Sequence, residues 1–170
     1  QLIADVMTLV ERKGAIEKLI VAWSGDGNNV AHSWIHAAAG FGFELRLACP
    51  KAYAPDLDVV AAARKNGAKV ILTERPDEAA AGADCLVTDT FVSMGDDNAE
   101  TRRADLAPYR IDSKLMNKAA KDAVFLHCLP AHRGEEVSAE VMDGPQSAVF
   151  DEAENRLHAQ KAILLWCFGI

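Results

Sequence analysis

The sequence predicts an α/β fold: a three-layer, Rossmann-like parallel sheet with helices on both faces. Three observations lead there. Short apolar runs rich in β-branched residues alternate with stretches of helical spacing along most of the chain, the pattern of parallel strands joined by crossover helices. The first such run, Leu19-Ile20-Val21-Ala22-Trp23, is continuously apolar, as a strand covered on both faces should be. The 170 residues, half of them apolar, suffice for one hydrophobic core and not for two.

From Gln1 to about Lys13 the apolar residues Leu2, Ile3, Val6, Leu9 and Val10 recur at helical spacing, and Gly14 stands where a helix would stop. The strand at 19–23 then runs into the turn Gly25-Asp26-Gly27-Asn28-Asn29. A helix is expected from Val30 to Phe41, a strand from Glu44 to Ala48, and a helix after Pro55-Asp56. A strand from Lys69 to Thr73 and a short helix opened by Pro76-Asp77 continue the beat. Strands at Cys85 to Thr88 and Val124 to Cys128 complete the central set. Between them the polar stretch Gly95 to Ala107 breaks the rhythm and reads as a loop running into a helix. The last helix, starting near Glu152, ends on the almost unbroken apolar run Ile163 to Phe168, more than one buried stripe requires.

A net charge of -7 leaves no broad basic face, so nucleic acid and anionic membrane are poor partners and a small molecule is the better expectation. The longest apolar stretches, Leu19 to Trp23 and Ala162 to Phe168, are far shorter than a bilayer span, so a soluble, cytoplasmic protein is expected. Cys49, Cys85, Cys128 and Cys167 form no Cys-x-x-Cys pair, and His32 and His36 lack the Glu of a zinc-peptidase helix, so no metal site is expected. The chain opens on Gln1-Leu2-Ile3 as if cut from inside a longer polypeptide.

Ligands of parallel α/β sheets collect beyond the carboxyl ends of the strands, which picks out three segments. The Gly-Asp-Gly-Asn-Asn turn has Val30 where a dinucleotide fingerprint has its third glycine, and Ala48-Cys49-Pro50 where an acid would hold a ribose. No nicotinamide or flavin cofactor is expected. Asn28 and Asn29 at a helix start could hold a carboxylate, although Asn and Gly are also what caps and turns use. Asp89 and Ser93, after the fourth strand, suit an ammonium group, and by themselves are an ordinary strand-to-loop transition. In His127-Cys128-Leu129-Pro130 the imidazole and thiol are neighbours on a strand and should point to opposite faces, so they are not expected to form a catalytic dyad.

In combination, Gly-Asp-Gly-Asn-Asn, Asp89-Thr90-Phe91-Val92-Ser93-Met94-Gly95, His-Cys-Leu-Pro and Glu154-Asn155-Arg156 resemble, in the same order, the ornithine carbamoyltransferases. Gln1 resembles the last residue of that family's His-Pro-x-Gln segment. The His-Cys-Leu-Pro and Ser-Met-Gly pair is the most specific part, since aspartate carbamoyltransferases carry Pro where Cys128 stands. The resemblance implies that residues 1–170 are the ornithine-binding second domain, contributing to carbamoyl transfer from carbamoyl phosphate to the δ-amino group of ornithine without a cofactor. It implies that Asn29, Asp89, Ser93 and the Met94 backbone hold L-ornithine, and that Gln1, Cys128, Leu129 and Arg156 face carbamoyl phosphate or the reacting amine. Cys128 takes the catalytic role of proton acceptor, and Leu129-Pro130 is cis. The family's Ser-x-Arg-Thr-Arg phosphate site belongs to an amino-terminal domain and does not occur in these residues, so the chain alone is expected to be inactive and the full-length protein a homotrimer. Transfer to another amine, such as acetylated ornithine or putrescine, and a binding module without transfer are the alternatives.

Overall fold

The computed structural model describes residues 1–93 and 97–170. In chain order these form α1 (Leu2–Lys13), β1 (Ile20–Ser24), α2 (Asn29–Phe41), β2 (Glu44–Ala48), α3 (Leu57–Lys65), β3 (Val70–Thr73), α4 (Pro76–Ala80) and β4 (Cys85–Thr88). After them come α5 (Ala99–Leu106), α6 (Ser113–Met116), β5 (Val124–His127), α7 (Ala139–Met142) and α8 (Val149–Phe168). The strands pair in the order β3-β2-β1-β4-β5, every pair parallel.

Side chains alternate along each strand, and the alternation divides the interior in two. Val21, Trp23, Leu45, Leu47, Cys85, Val87 and Leu126 pack with Leu9 of α1, Trp34 and Ile35 of α2 and Val60 of α3. Ala22, Leu86 and Phe125 face the other way, onto Ala79 of α4, Leu106 of α5, Met116 of α6 and Met142 of α7. Both faces of the sheet are therefore covered, which is why β1 is apolar from Ile20 to Trp23 and why the three-layer expectation holds. Trp34 and Phe43 meet edge to face at 5.8 Å between ring centroids.

The polar stretch runs into a helix as expected: α5 starts at Ala99 and lies on the surface, with Leu106 its only buried residue. One feature departs from the sequence reading. The four-residue helices α6 and α7 were not expected, since one turn is too short to show a period.

The first and last helices pack together. Asn155 Nδ2 of α8 donates to Thr8 Oγ1 at 2.9 Å and to Glu11 Oε2 at 2.8 Å on α1. No described helix is long and apolar enough to cross a membrane.

Candidate active site at the carboxyl ends of the strands

The order of the strands reverses between β1 and β4, because β2 and β3 step outward on one side and β5 on the other. A crevice opens at such a point, just past the strand ends. Its lips are the turn after β1 and the segment after β4.

The turn is pressed close on both sides. Gly25 has φ 141°, a region open essentially to glycine, and a Cβ there would stand 3.2 Å from Thr88 Oγ1. A Cβ on Gly27 would fall 2.3 Å from the Pro55 nitrogen. Asn28 follows as the cap of α2, its Oδ1 accepting from the Val30 and Ala31 amides at 2.9 and 3.1 Å. Such a cap contributes about 1 kcal/mol. The other end of the same amide reaches across the crevice, Nδ2 donating to Asp89 Oδ2 at 2.8 Å. Arg102 ties the two lips from behind: it pairs with Asp26, donates to the Phe91 carbonyl at 3.1 Å and lies over the Tyr53 ring.

Asp89 Oδ1 accepts from the Thr90 amide at 2.7 Å and from the Cys128 thiol at 3.0 Å. Burial pushes the Cys128 thiol well above the ordinary thiol range, and the charge of Asp89 together with the hydrogen bond to it pushes the same way. The sulfur therefore keeps its proton and is not a thiolate nucleophile.

The expectation that His127 and Cys128 point to opposite faces is corrected. β5 stops at His127, Leu129 turns the chain back at φ 55°, and the Leu129-Pro130 peptide is cis as the resemblance implied. Asp89, His127 and Cys128 consequently bring a carboxylate oxygen, a ring nitrogen and the sulfur within 4.8 Å of one another. No dyad results, for a different reason from the one expected. His127 Nδ1 accepts from the Leu129 amide at 2.9 Å and Nε2 faces Glu136 Oε1 at 3.2 Å, so both ring nitrogens are engaged elsewhere. These three side chains have metal-ligating atoms, but engaged nitrogens and a protonated thiol make the cluster as built a hydrogen-bond network.

A second polar group lies beside the first. Gln1 Nε2 donates to Asp5 Oδ1 at 2.6 Å and to Glu152 Oε1 at 2.7 Å, while Glu152 Oε2 accepts from the His127 amide at 2.9 Å. Asp5 and Glu152 are each 1% exposed. Burial raises Asp5 to about 6, and burial and the charge of Asp5 raise Glu152 to about 9. At neutral pH the pair holds one proton between them.

The structure thus unites Asp89, Cys128 and the Leu129 turn, and links Gln1 to them through Glu152 and His127. Asn29 and Ser93 are exposed at the crevice rim, and it is Asn28 that meets Asp89. Arg156 is exposed one helical turn beyond Glu152, with no hydrogen bond to any described residue. Met94 lies outside the described residues. Sequence reasoning missed Asp5 and Glu136. Asp5 had a readable signal, a charge on the same helical face as Leu2, Val6 and Leu9, where an apolar residue belongs.

Residues 17–167 match the family described as aspartate/ornithine carbamoyltransferase, Asp/Orn binding domain. An ornithine carbamoyltransferase of Rhodopseudomonas palustris is 56% identical over 169 residues, which cover 99% of this chain and 54% of that protein. One from Caulobacter vibrioides is 55% identical over 99% of this chain and 54% of its own length. Among solved structures, the ornithine carbamoyltransferase of Pyrococcus furiosus superposes with a TM-score of 0.89 at 45% identity, over 95% of this chain and 53% of that one. The ornithine transcarbamoylase of Giardia lamblia does so with a TM-score of 0.88 at 30% identity, over 96% and 57%. The chain spans about half the length of the curated relatives it matches. It belongs to the family of Asp/Orn-binding domains of the aspartate/ornithine carbamoyltransferases.

Proposed function

We propose that the chain is the ornithine-binding half of an ornithine carbamoyltransferase, which transfers a carbamoyl group from carbamoyl phosphate to the δ-amino group of L-ornithine, giving citrulline and phosphate. The observation that carries the reading is the Asp89 carboxylate held between Asn28 and Cys128 at the strand-order reversal. A carboxylate fixed at a crevice mouth suits an ammonium, and ornithine brings two. Asn29 and Ser93, exposed beside the same mouth, and, as the resemblance implies, the Met94 backbone complete the hold on the amino-acid end.

The δ-amine attacks only when neutral, so its proton must leave. Cys128 can take it on sulfur only while passing its own proton to Asp89, across the 3.0 Å hydrogen bond already present. The Leu129 carbonyl can accept from the carbamoyl NH2, and the exposed guanidinium of Arg156 can meet charge developing on oxygen. No cofactor enters. The phosphate is left to a partner domain carrying a Ser-x-Arg-Thr-Arg segment, and the complete protein is a homotrimer in this reading.

Aspartate is the substrate to exclude, since the family includes it. The test is citrulline formation by a polypeptide of the relatives' full length that contains these residues, with ornithine, aspartate, acetylornithine and putrescine offered in turn. Activity with ornithine alone supports the reading, and carbamoylaspartate as the main product overturns it.

A further inference from the structure

Beyond the Leu129 turn the chain carries His132, Glu135 and Glu136 on a stretch whose backbone is pinned. The Glu135 amide donates to the His132 carbonyl at 3.0 Å, the Gly134 amide to the Val137 carbonyl at 2.8 Å, and the Ile111 amide to the Glu136 carbonyl at 2.9 Å. The Glu136 side chain is fully buried. Its Oε1 accepts from His127 Nε2 at 3.2 Å and from the His132 amide. Oε2 has no hydrogen-bond partner, and whether or not it carries a proton, a buried carboxyl oxygen left that way is costly. It faces the half-exposed imidazole of His132, whose Nδ1 stands 3.7 Å away, too far for a hydrogen bond. A carboxylate oxygen of Glu135 completes the group, and the three ligating atoms lie within 4.8 Å of one another.

We propose that His132, Glu135 and Glu136 form a binding site for a divalent zinc ion, set behind the Leu129 turn. One imidazole nitrogen and two carboxylates are ligands that zinc accepts, with a fourth position left to water. Two ligands of a tetrahedral zinc stand about 3.4 Å apart, close to the separation of His132 Nδ1 and Glu136 Oε2. Neither of those atoms is hydrogen-bonded to a described residue, in contrast to the engaged ring nitrogens of His127 and the protonated thiol of Cys128. Arg103 Nε donates to Glu135 Oε2 at 2.9 Å and so orients that carboxylate, as an outer partner orients a metal ligand. A bound ion would tie the exposed imidazole to Glu136, which holds the His127 ring, whose Nδ1 in turn accepts from the Leu129 amide at 2.9 Å. The ion's role is thus to stiffen the turn from behind. Cysteine spacing and the His32 and His36 pair gave no sign of such a site because it uses none of those residues.

The test titrates Zn2+ calorimetrically into a polypeptide of the relatives' full length, stripped of metal by chelation, as wild type, His132→Ala and Glu135→Gln. Mg2+ serves as the control, since it favours oxygen ligands and keeps its water. The expected result is one Zn2+ bound per chain, with affinity at least about tenfold weaker in each variant, because loss of even an outer partner of a metal ligand costs that much. X-ray absorption at one equivalent of zinc should show a single imidazole with oxygen ligands and no sulfur. Zinc bound equally by wild type and both variants overturns the proposal, as do a sulfur ligand, Mg2+ bound as tightly as Zn2+, or no zinc bound by the wild type. If neither variant folds, 15N-labelled imidazoles in the wild type decide. A zinc-induced shift at Nδ1 of His132 upholds the proposal, and a shift confined to other histidines overturns it. None of these outcomes depends on the transferase reading.

Discussion

Cys128 donates its thiol proton to Asp89 across 3.0 Å, joining the last residues of β5 to the first residues after β4. Each member changes the other: burial first and the carboxylate second keep the thiol protonated, and the thiol occupies one of the carboxylate's acceptor sites. Replacing Asp89 with Asn keeps the size and removes the charge. The expected outcome is ornithine affinity weakened about tenfold to a hundredfold, the value of a charge-assisted hydrogen bond, with little change in Tm. Calorimetric titration with ornithine in a polypeptide of full family length checks it, and equal affinity would remove Asp89 from the site.

The same pair predicts thiol reactivity. Iodoacetamide at pH 8 should alkylate the exposed Cys167 and leave Cys128 nearly untouched, because only a thiolate attacks. Asp89→Asn removes the charge that raises the Cys128 thiol, so Cys128 should become measurably more reactive, as peptide mass mapping over time would show.

Buried Asp5 and Glu152 predict the sign of a pH effect. Both are raised above their values in an unfolded chain, to about 6 and about 9, so between pH 4.5 and 9 the folded state binds more protons than the unfolded one. Their contribution to stability is full below pH 4 and falls as pH rises through that window. Glu152→Gln cannot titrate, so its Tm should gain on that of the wild type as pH goes from 5 to 9. A constant difference would mean that Glu152 is ionised in the folded protein.

Asn28 serves two ends with one amide. Asn28→Ser can keep the helix cap but cannot reach Asp89, whereas Asn28→Ala loses both. Chemical denaturation should show the Ala variant less stable than the Ser variant by about 1 kcal/mol. Both should bind ornithine more weakly than wild type. Equal binding by the Ser variant would show that Asp89 needs no support from α2.

The chain by itself should form no citrulline and should self-associate. Trp166 is 81% and Phe168 74% exposed, on the apolar end of α8. Sedimentation velocity should show association that rises with concentration and weakens in a Trp166→Glu, Phe168→Glu double variant. Citrulline formation by the 170 residues alone at the rate of a full-length relative would refute the division of labour between two domains.

Most of the architecture was legible because covered parallel strands and their helices write their periods plainly, as at Leu19 to Trp23 and Val30 to Phe41. Asp89 and Cys128 were legible as residues placed just past strand ends. Their partners were not. Asn28 was read as a cap or a group for a ligand's carboxylate, and only three dimensions show its far end on Asp89. The His127 ring defied the alternation rule because β5 ends one residue early, and a strand's last residue is what a pattern of period two locates least well. Asp5 and Glu152 each look like helix-start acids and become a pair only when α1 and α8 lie side by side.

The sheet's winding also fixes when the crevice can exist. Asn28 and Asp89 are 61 residues apart in the chain yet share a hydrogen bond, because β2, α3, β3 and α4 make an excursion to the sheet's far edge before β4 returns beside β1. Such a closure is entropically slow, and no local segment can assemble the crevice in advance. Ligand capture during refolding is thus a clock for the joining of β1 to β4.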